Sequence, residues 1–386
     1  MIDTAVMGGG LAGTSAAITL AQQGCRVLLI EAKNYPHHKV CGEFLSPGCA
    51  HYLDRLNALG DVLAVKPASI DGVRVTSPHG VCWNAQFDGM GFGISRYALD
   101  QLLINRARVA GVDVREGTTV VNIQGDLKPG FTITARSGGQ IQTFQAKTVI
   151  AAHGKRSSLD RAFNRSFLNQ PHSFLGLKAH FYGPPIPQRV ELHTFSGGYC
   201  GVSEVEGGRT NVCLLVGQHV FREVSEGRID AFICWMRQQN PFLDHWLSKA
   251  EQIEPGWHSI SQVAFSQKSL VEADVLMAGD SAQLIAPLAG DGMEMALHSG
   301  QIAAHAVKLF LDGTCSAAAM KQHYRTEWRQ AFASRLRLAR WLQMVVFNPT
   351  LLTSGLHLLN RLPALGEFVV SHTRDSRSVV TSGAST

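Results

Sequence analysis

The sequence predicts an α/β fold in which a Rossmann-type nucleotide-binding domain carries an inserted antiparallel β-sheet domain and ends in a helical C-terminus. Three observations predict it. A short apolar strand at the start runs directly into Gly8-Gly9-Gly10-Leu11-Ala12-Gly13. Far downstream a second apolar strand ends at Gly279-Asp280, before another glycine turn and a helix. Between them, residues 170–263 read as short alternating strands punctuated by Gly-Gly turns.

Residues 4–7 read as a buried strand, 11–23 as a helix and 26–31 as a second strand, a βαβ unit of about 30 residues. Within GxGxxG, Gly8 permits the tight turn, Gly10 lets the backbone approach a pyrophosphate, and Gly13 lets helix and strand close together. Leu11 and Ala12 open the helix, whose free N–H groups and dipole face phosphate. Glu31, followed by Ala32, stands about 20 residues on, where an acid accepts ribose hydroxyls.

A loop rich in Pro, His, Gly and Cys (35–48) leads to a helix over 47–59 and strand-like alternation over 70–87. Ser95 is a natural N-cap for a helix reaching Ala110. Gly111 starts a return strand. Strands over 117–123, with Val121 assigned to the cofactor side, and over 131–136 precede an apolar strand at 148–152 that meets His153-Gly154. Gly154 is thereby placed at the cofactor as the first sheet is re-entered.

Turns at Gly197-Gly198 and Gly207-Gly208 organise the second, substrate-facing sheet, residues 275–278 return to the first, and the chain is mainly helical from Gly292. The expected partition is therefore discontinuous: cofactor domain 1–75, 95–165 and 269–325; sheet domain 76–94 and 166–268; C-terminal helices and tail 326–386. Only the tail after Ser376 reads as poorly ordered.

Composition narrows the function. Apolar residues make up 45% and charged residues 17%, the balance of a folded enzyme rather than a disordered chain. The net charge of +5 is scattered, which sets nucleic acid aside and suits an anionic cofactor. Eight cysteines without CxxC pairs argue for a reducing, cytoplasmic setting. Sixteen histidines include no HExxH and no spaced Cys/His set, so no metal is expected. The start lacks a basic n-region, no run approaches about 20 apolar residues, and no Gly-x-Ser-x-Gly marks a hydrolase.

Ala278-Gly279-Asp280-Ser281-Ala282, followed by Pro287-Leu288-Ala289-Gly290-Asp291-Gly292-Met293, resembles the GD motif of FAD-dependent enzymes of the aromatic-hydroxylase and geranylgeranyl-reductase superfamily. The resemblance covers roughly the whole chain in motif order and implies FAD rather than NAD. It implies that Asp280 meets the ribityl or pyrophosphate region. Pro287 and the Gly290, Gly292 and Met293 amides would approach the flavin edge and stabilise its anionic reduced form.

Lys39-Val40-Cys41-Gly42-Glu43 is similar to the reductases' Cys-Gly segment beside the flavin ring, which makes Cys41 and Glu43 candidate catalytic groups, Glu43 as the acid if burial raises its pKa. Arg96 matches an arginine that the superfamily sets near the FAD phosphates or ribityl. The stretch 151–157 with Arg161 is similar to the central Asp-Gly motif, but His153 replaces the Asp, which argues against tight direct NADPH use. Gly198-Tyr199-Cys200-Gly201 resembles a substrate-side strand. Tyr199 is a proton donor or, more in keeping with an aromatic on a sheet, a wall.

The leading expectation is hydride transfer from reduced FAD to a hydrophobic small molecule, with NADH or NADPH as candidate electron donor. The alternative is a monooxygenase hydroxylating an aromatic or polyketide-like ring, and the remote one a flavin-free carrier of prenylated cargo. Halogenation is disfavoured because Trp-x-Trp-x-Ile-Pro is missing. The basic amphipathic stretch 335–370 is expected to dock over the substrate pocket, with peripheral membrane contact as the second choice.

Overall fold

The computed structural model describes residues 1–170, 173–263, 265–285 and 290–372; Pro287 and the tail after Ser376 lie outside them. Strand β1 (Ile2–Met7), helix α1 (Leu11–Gln22) and strand β2 (Val27–Ile30) form the opening unit. β1 is buried from Thr4 onward and β2 throughout, as strands covered on both faces must be. The chain continues through β3 (Phe44–Leu45), α2 (Cys49–Arg55) and α3 (Leu59–Ala64). The single helix expected over 47–59 is thus broken, because Asn57 takes a left-handed φ of 52° and ends α2.

Strands β4 (Ala68–Thr76) and β5 (Cys82–Gly93) form a hairpin, followed by α4 (Arg96–Val109). Ser95 caps α4 as expected, accepting from the Ala98 N–H at 3.1 Å. Strands β6 (Asp113–Arg115), β7 (Thr118–Asp126), β8 (Gly130–Ser137) and β9 (Gln140–Ala151) return the chain to β1. A short helix, α5 (Ser158–Ala162), follows.

The second sheet is built from β10 (Phe174–Tyr182), β11 (Arg189–Phe195), β12 (Gly198–Glu204) and β13 (Thr210–Gly217). Residues 218–247, expected to be strands, are instead helices α6 (Gln218–Ser225), α7 (Ile229–Gln239) and α8 (Pro241–Leu247). Asn240 caps α8 by accepting from Phe242 and Leu243, and Phe232, Met236, Leu243 and Trp246 bury a helical stripe against Phe195 and Val212 of the sheet. Strands β14 (Glu251–Gln252) and β15 (His258–Val263) both pair with β10.

The edge strand β16 (Val271–Glu272) and strand β17 (Val275–Met277) complete the first sheet, whose order is β16-β17-β9-β1-β2-β6. β17, β9, β1, β2 and β6 run parallel, while β7 and β8 hang antiparallel from β9. The second sheet runs β14-β10-β13-β12-β11-β4-β5-β3. It therefore takes in residues 44–45 and 68–76, earlier than the expected start at 76. It also contains one parallel pair, β4 with β11.

Four helices finish the described chain: α9 (Gly292–Leu311), α10 (Ala317–Val346), α11 (Pro349–Arg361) and α12 (Pro363–His372). α9 covers α1, with the Ser15 hydroxyl donating to the Leu297 carbonyl at 2.7 Å. Among the described residues no helix is long and apolar enough to cross a membrane.

Candidate functional site

A cavity of about 1020 Å³ lies where the carboxyl ends of β1, β9 and β17 face the second sheet, the position at which open α/β sheets bind ligands. Its floor is the first glycine turn. Gly8 has φ +104°, and a Cβ there would lie 2.4 Å from the Ala152 carbonyl; one on Gly13 would lie 1.8 Å from the Gly8 carbonyl. Gly10 caps α1 without a side-chain acceptor, so the first-turn amides are left for a ligand. Lys39 and Arg96 stand beside Gly10.

Arg96 holds Asp100 through two hydrogen bonds of 2.7 and 2.8 Å, and Lys39 reaches the same buried carboxylate at 2.9 Å. Burial would raise the Asp100 pKa, but these two cations hold it low. Two positive charges on one acid leave this corner cationic, which fits a pyrophosphate. Glu31 accepts from the Gly9 and Lys33 N–H groups at 2.7 and 3.0 Å, fixing its carboxylate at the end of β2.

The second motif closes the opposite side. Gly279, Asp280 and Ser281 form one 3₁₀ turn after β17. Gly154 donates to the Ser281 hydroxyl at 2.8 Å, Arg165 donates to the Ser281 carbonyl at 2.9 Å, and Lys268 donates to the Asp280 and Lys155 carbonyls at 2.7 and 3.0 Å. Burial pushes the Lys268 ammonium down to about 8. His153, where the resemblance leads one to expect Asp, pairs with Asp160 at 3.0 Å, and Asp160 also accepts from Arg165 at 2.9 Å. Against the opposing effect of burial, these partners hold Asp160 at about 2.

Behind the turn at 290–293, Asp291 and Glu294 at the start of α9 share one cation, Arg335, at 2.6 and 3.0 Å; Ser46 donates to Glu294 at 2.6 Å. Burial, with Glu294 alongside, raises Asp291 well above the carboxylate range. One Arg answers one negative charge of two, so the pair retains a proton.

Cys41 lies on the cavity wall against Arg96, and its carbonyl accepts from the Asn211 amide at 3.1 Å. Burial, with Cys41 nearby, pushes the Cys213 thiol up to about 12. Glu43 is a correction to expectation. It is wholly buried with φ +56° and accepts from the Lys178 ammonium, from His180 Nε2 at 2.7 Å and from the Arg96 N–H at 2.6 Å. Burial would raise its pKa, yet Lys178 and His180 hold it below the ordinary range, so it is a committed carboxylate rather than a stored acid.

Tyr199 lines the cavity, packed with Leu215, Val263 and Leu284 and tilted against Phe347. Beyond it the cavity is apolar, lined by Val73, Val75, Trp83 and Leu192 of the second sheet and by Leu352, Leu356 and Leu359 of α11. The exposed Trp341, Leu358 and Leu365 also line it.

Of the expected residues, Gly8, Gly10, Leu11, Ala12, Glu31, Cys41, Glu43, Arg96, Gly154, Tyr199, Asp280, Gly290, Gly292 and Met293 line this one cavity. Gly13 is buried behind it. Ala32 is exposed beyond Glu31, and Val121 sits at a register shift between Val120 and Asn122 on β7; neither reaches the cavity wall. Sequence reasoning misses Lys39, Lys178, His180, Asp160, Arg165 and Lys268. The one local signal is Lys178-x-His180, two basic residues on the same face of an otherwise apolar strand.

The sequence matches the family described as FAD binding domain over residues 1–337. It is 26% identical over 360 residues to the digeranylgeranylglycerophospholipid reductase of Thermoplasma acidophilum, covering 88% of this chain and 86% of that protein. It is 22% identical over 346 residues to tryptophan 2-halogenase of Chondromyces crocatus, covering 83% of this chain but 63% of that protein. Among solved structures, the flavin-dependent brominase Bmp2 superposes with a TM-score of 0.81 over 96% of this chain and 93% of that one, at 18% identity, a likeness of fold.

Proposed function

The chain belongs to the FAD binding domain family, and we propose that this FAD-dependent oxidoreductase acts on a long hydrophobic small molecule, delivering hydride from reduced FAD to it. The observation that carries the reading is the far end of the cavity, which continues from the cofactor cradle into a chamber walled by Trp83, Leu192, Leu352 and Leu356 without a charged side chain among them. A relative of 26% identity is named for reducing a geranylgeranyl lipid. Such a chamber excludes water and rewards apolar length.

The residues present fit FAD: the uncapped α1 amides with Lys39 and Arg96 would hold the pyrophosphate, Glu31 the adenosine ribose, Asp280 the ribityl side, and the 290–293 turn the ring. When bound, FAD supplies the hydride. Cys41, on the wall against Arg96, is the group we assign to the reacting end, and Tyr199 shapes the chamber. The exposed Trp341, Met344, Leu351, Leu358, Leu362 and Phe368, with Arg337, Arg340 and Arg361 interspersed, suit peripheral contact with an anionic bilayer at the chamber mouth.

The test is anaerobic reduction of the bound flavin with NADH or NADPH, followed by isoprenoid lipids with and without oxygen. Flavin reoxidation by lipid under anaerobic conditions is the expected result. Hydroxylation replaces reduction as the activity if turnover needs oxygen and places it in the product. A preparation that stays colourless after FAD is supplied revives the flavin-free carrier.

A further inference from the structure

At the cavity wall the fold gathers three side chains from distant parts of the sequence: His38 from the loop before Cys41, His180 from β10, and Glu254 from the turn between β14 and β15. Their ligand atoms all lie within 4.8 Å of one another. His180 Nδ1 and His38 Nε2 both point at one oxygen, Glu254 Oε1, from 3.4 and 3.5 Å. On its other side, His180 Nε2 is 2.7 Å from Glu43.

Glu43 also accepts from Lys178 and from the Arg96 N–H. The contacts of 3.4 and 3.5 Å that His180 and His38 make with Glu254 are too long for a charge-assisted hydrogen bond of about 2.7–2.9 Å. The gap does match the edge of roughly 3.3 Å that bonds of 2.0–2.1 Å make around a tetrahedral cation. Carboxylate, histidine and cation in series is the arrangement by which a metal ligand is oriented.

Glu254 Oε2 and His38 Nδ1, the other polar atoms of these two side chains, are also buried and have no hydrogen-bond partner. We propose that His38, His180 and Glu254 form a divalent transition-metal site of the zinc type, fastening the loop that carries Cys41 and Glu43 to the second sheet. Imidazole and carboxylate donors select this class of ion.

FAD-loaded protein is stripped with a chelator, dialysed against buffered Zn2+ and counted for zinc by atomic emission. Wild type should hold about one zinc per chain more than the His38→Gln and Glu254→Gln variants, each of which should weaken binding at least about tenfold. Both substitutions fall at partly exposed ligands, and the flavin spectrum reports their folding independently. X-ray absorption at the zinc edge of wild type alone should show nitrogen and oxygen ligands at about 2.0–2.1 Å and no sulfur. Equal zinc in wild type and variants, or sulfur in the coordination shell, overturns the proposal.

Discussion

Lys178 donates to Glu43 with both side chains wholly buried, beneath the loop that carries Cys41. An ion pair in this setting is a mutual obligation: neither charge is tolerable without the other. Lys178→Met should lower unfolding free energy by about 3–5 kcal/mol. The double variant Lys178→Met/Glu43→Gln should recover part of that. Urea titrations followed by fluorescence check it, and a single variant as stable as wild type would remove the pair from the account.

Gly13→Ala should release the cofactor without unfolding the chain. The added methyl would lie 1.8 Å from the Gly8 carbonyl, which forces α1 away from β1 at the phosphate cradle. Overpacking of this kind costs about 1–3 kcal/mol, so roughly tenfold or more in FAD affinity is expected. Glu31→Gln should weaken binding by about 1–2 kcal/mol through its lost charge-assisted bonds. Flavin per chain after gel filtration, with circular dichroism as the folding check, measures both.

Asp160 gives a pH signature. Its folded value of about 2 lies below its unfolded value of about 3.9, so the stability it contributes is complete above pH 4 and lost as pH falls through 2. Asp160→Asn should therefore be less stable than wild type at pH 7, and the gap should close between pH 4 and 2. Unfolding midpoints across that range decide it, and a gap that does not change with pH contradicts the assignment.

Leu356 is buried at the roof of the chamber, packed with Trp83 and Leu352. Leu356→Ser should raise KM for a long isoprenoid substrate by about tenfold, the worth of roughly one lost apolar contact. Reduction of the flavin by its electron donor should be unchanged. Stopped-flow reduction alongside steady-state kinetics separates the two effects, and a slowed flavin reduction would place Leu356 elsewhere in the mechanism.

The sequence made the first glycine turn and its βαβ unit legible because their parts are local. Gly8 to Gly13 and Glu31 lie within one βαβ unit, and Ser95 announces its helix by standing one residue ahead of it. Glu43 shows the limit. Its ionisation depends on Lys178 and His180, which arrive from a strand far along the chain, and no spacing rule connects them. Burial alone suggests a raised pKa, and the distant cations reverse the sign. The helices over 218–247 escaped for a related reason: their apolar stripe makes sense only against the back of a sheet that the sequence does not draw.

The order of strands in the first sheet carries a consequence for biosynthesis. β1 is made long before its neighbour β9, which ends at Ala151, and before the strand beyond that, which ends at Met277. The turn at Gly8–Gly13 thus remains half-walled until β17 has been made, a delay that exposes unpaired strand edges. Nascent chains halted before β17 should engage chaperones, and cofactor capture should wait until β17 has emerged.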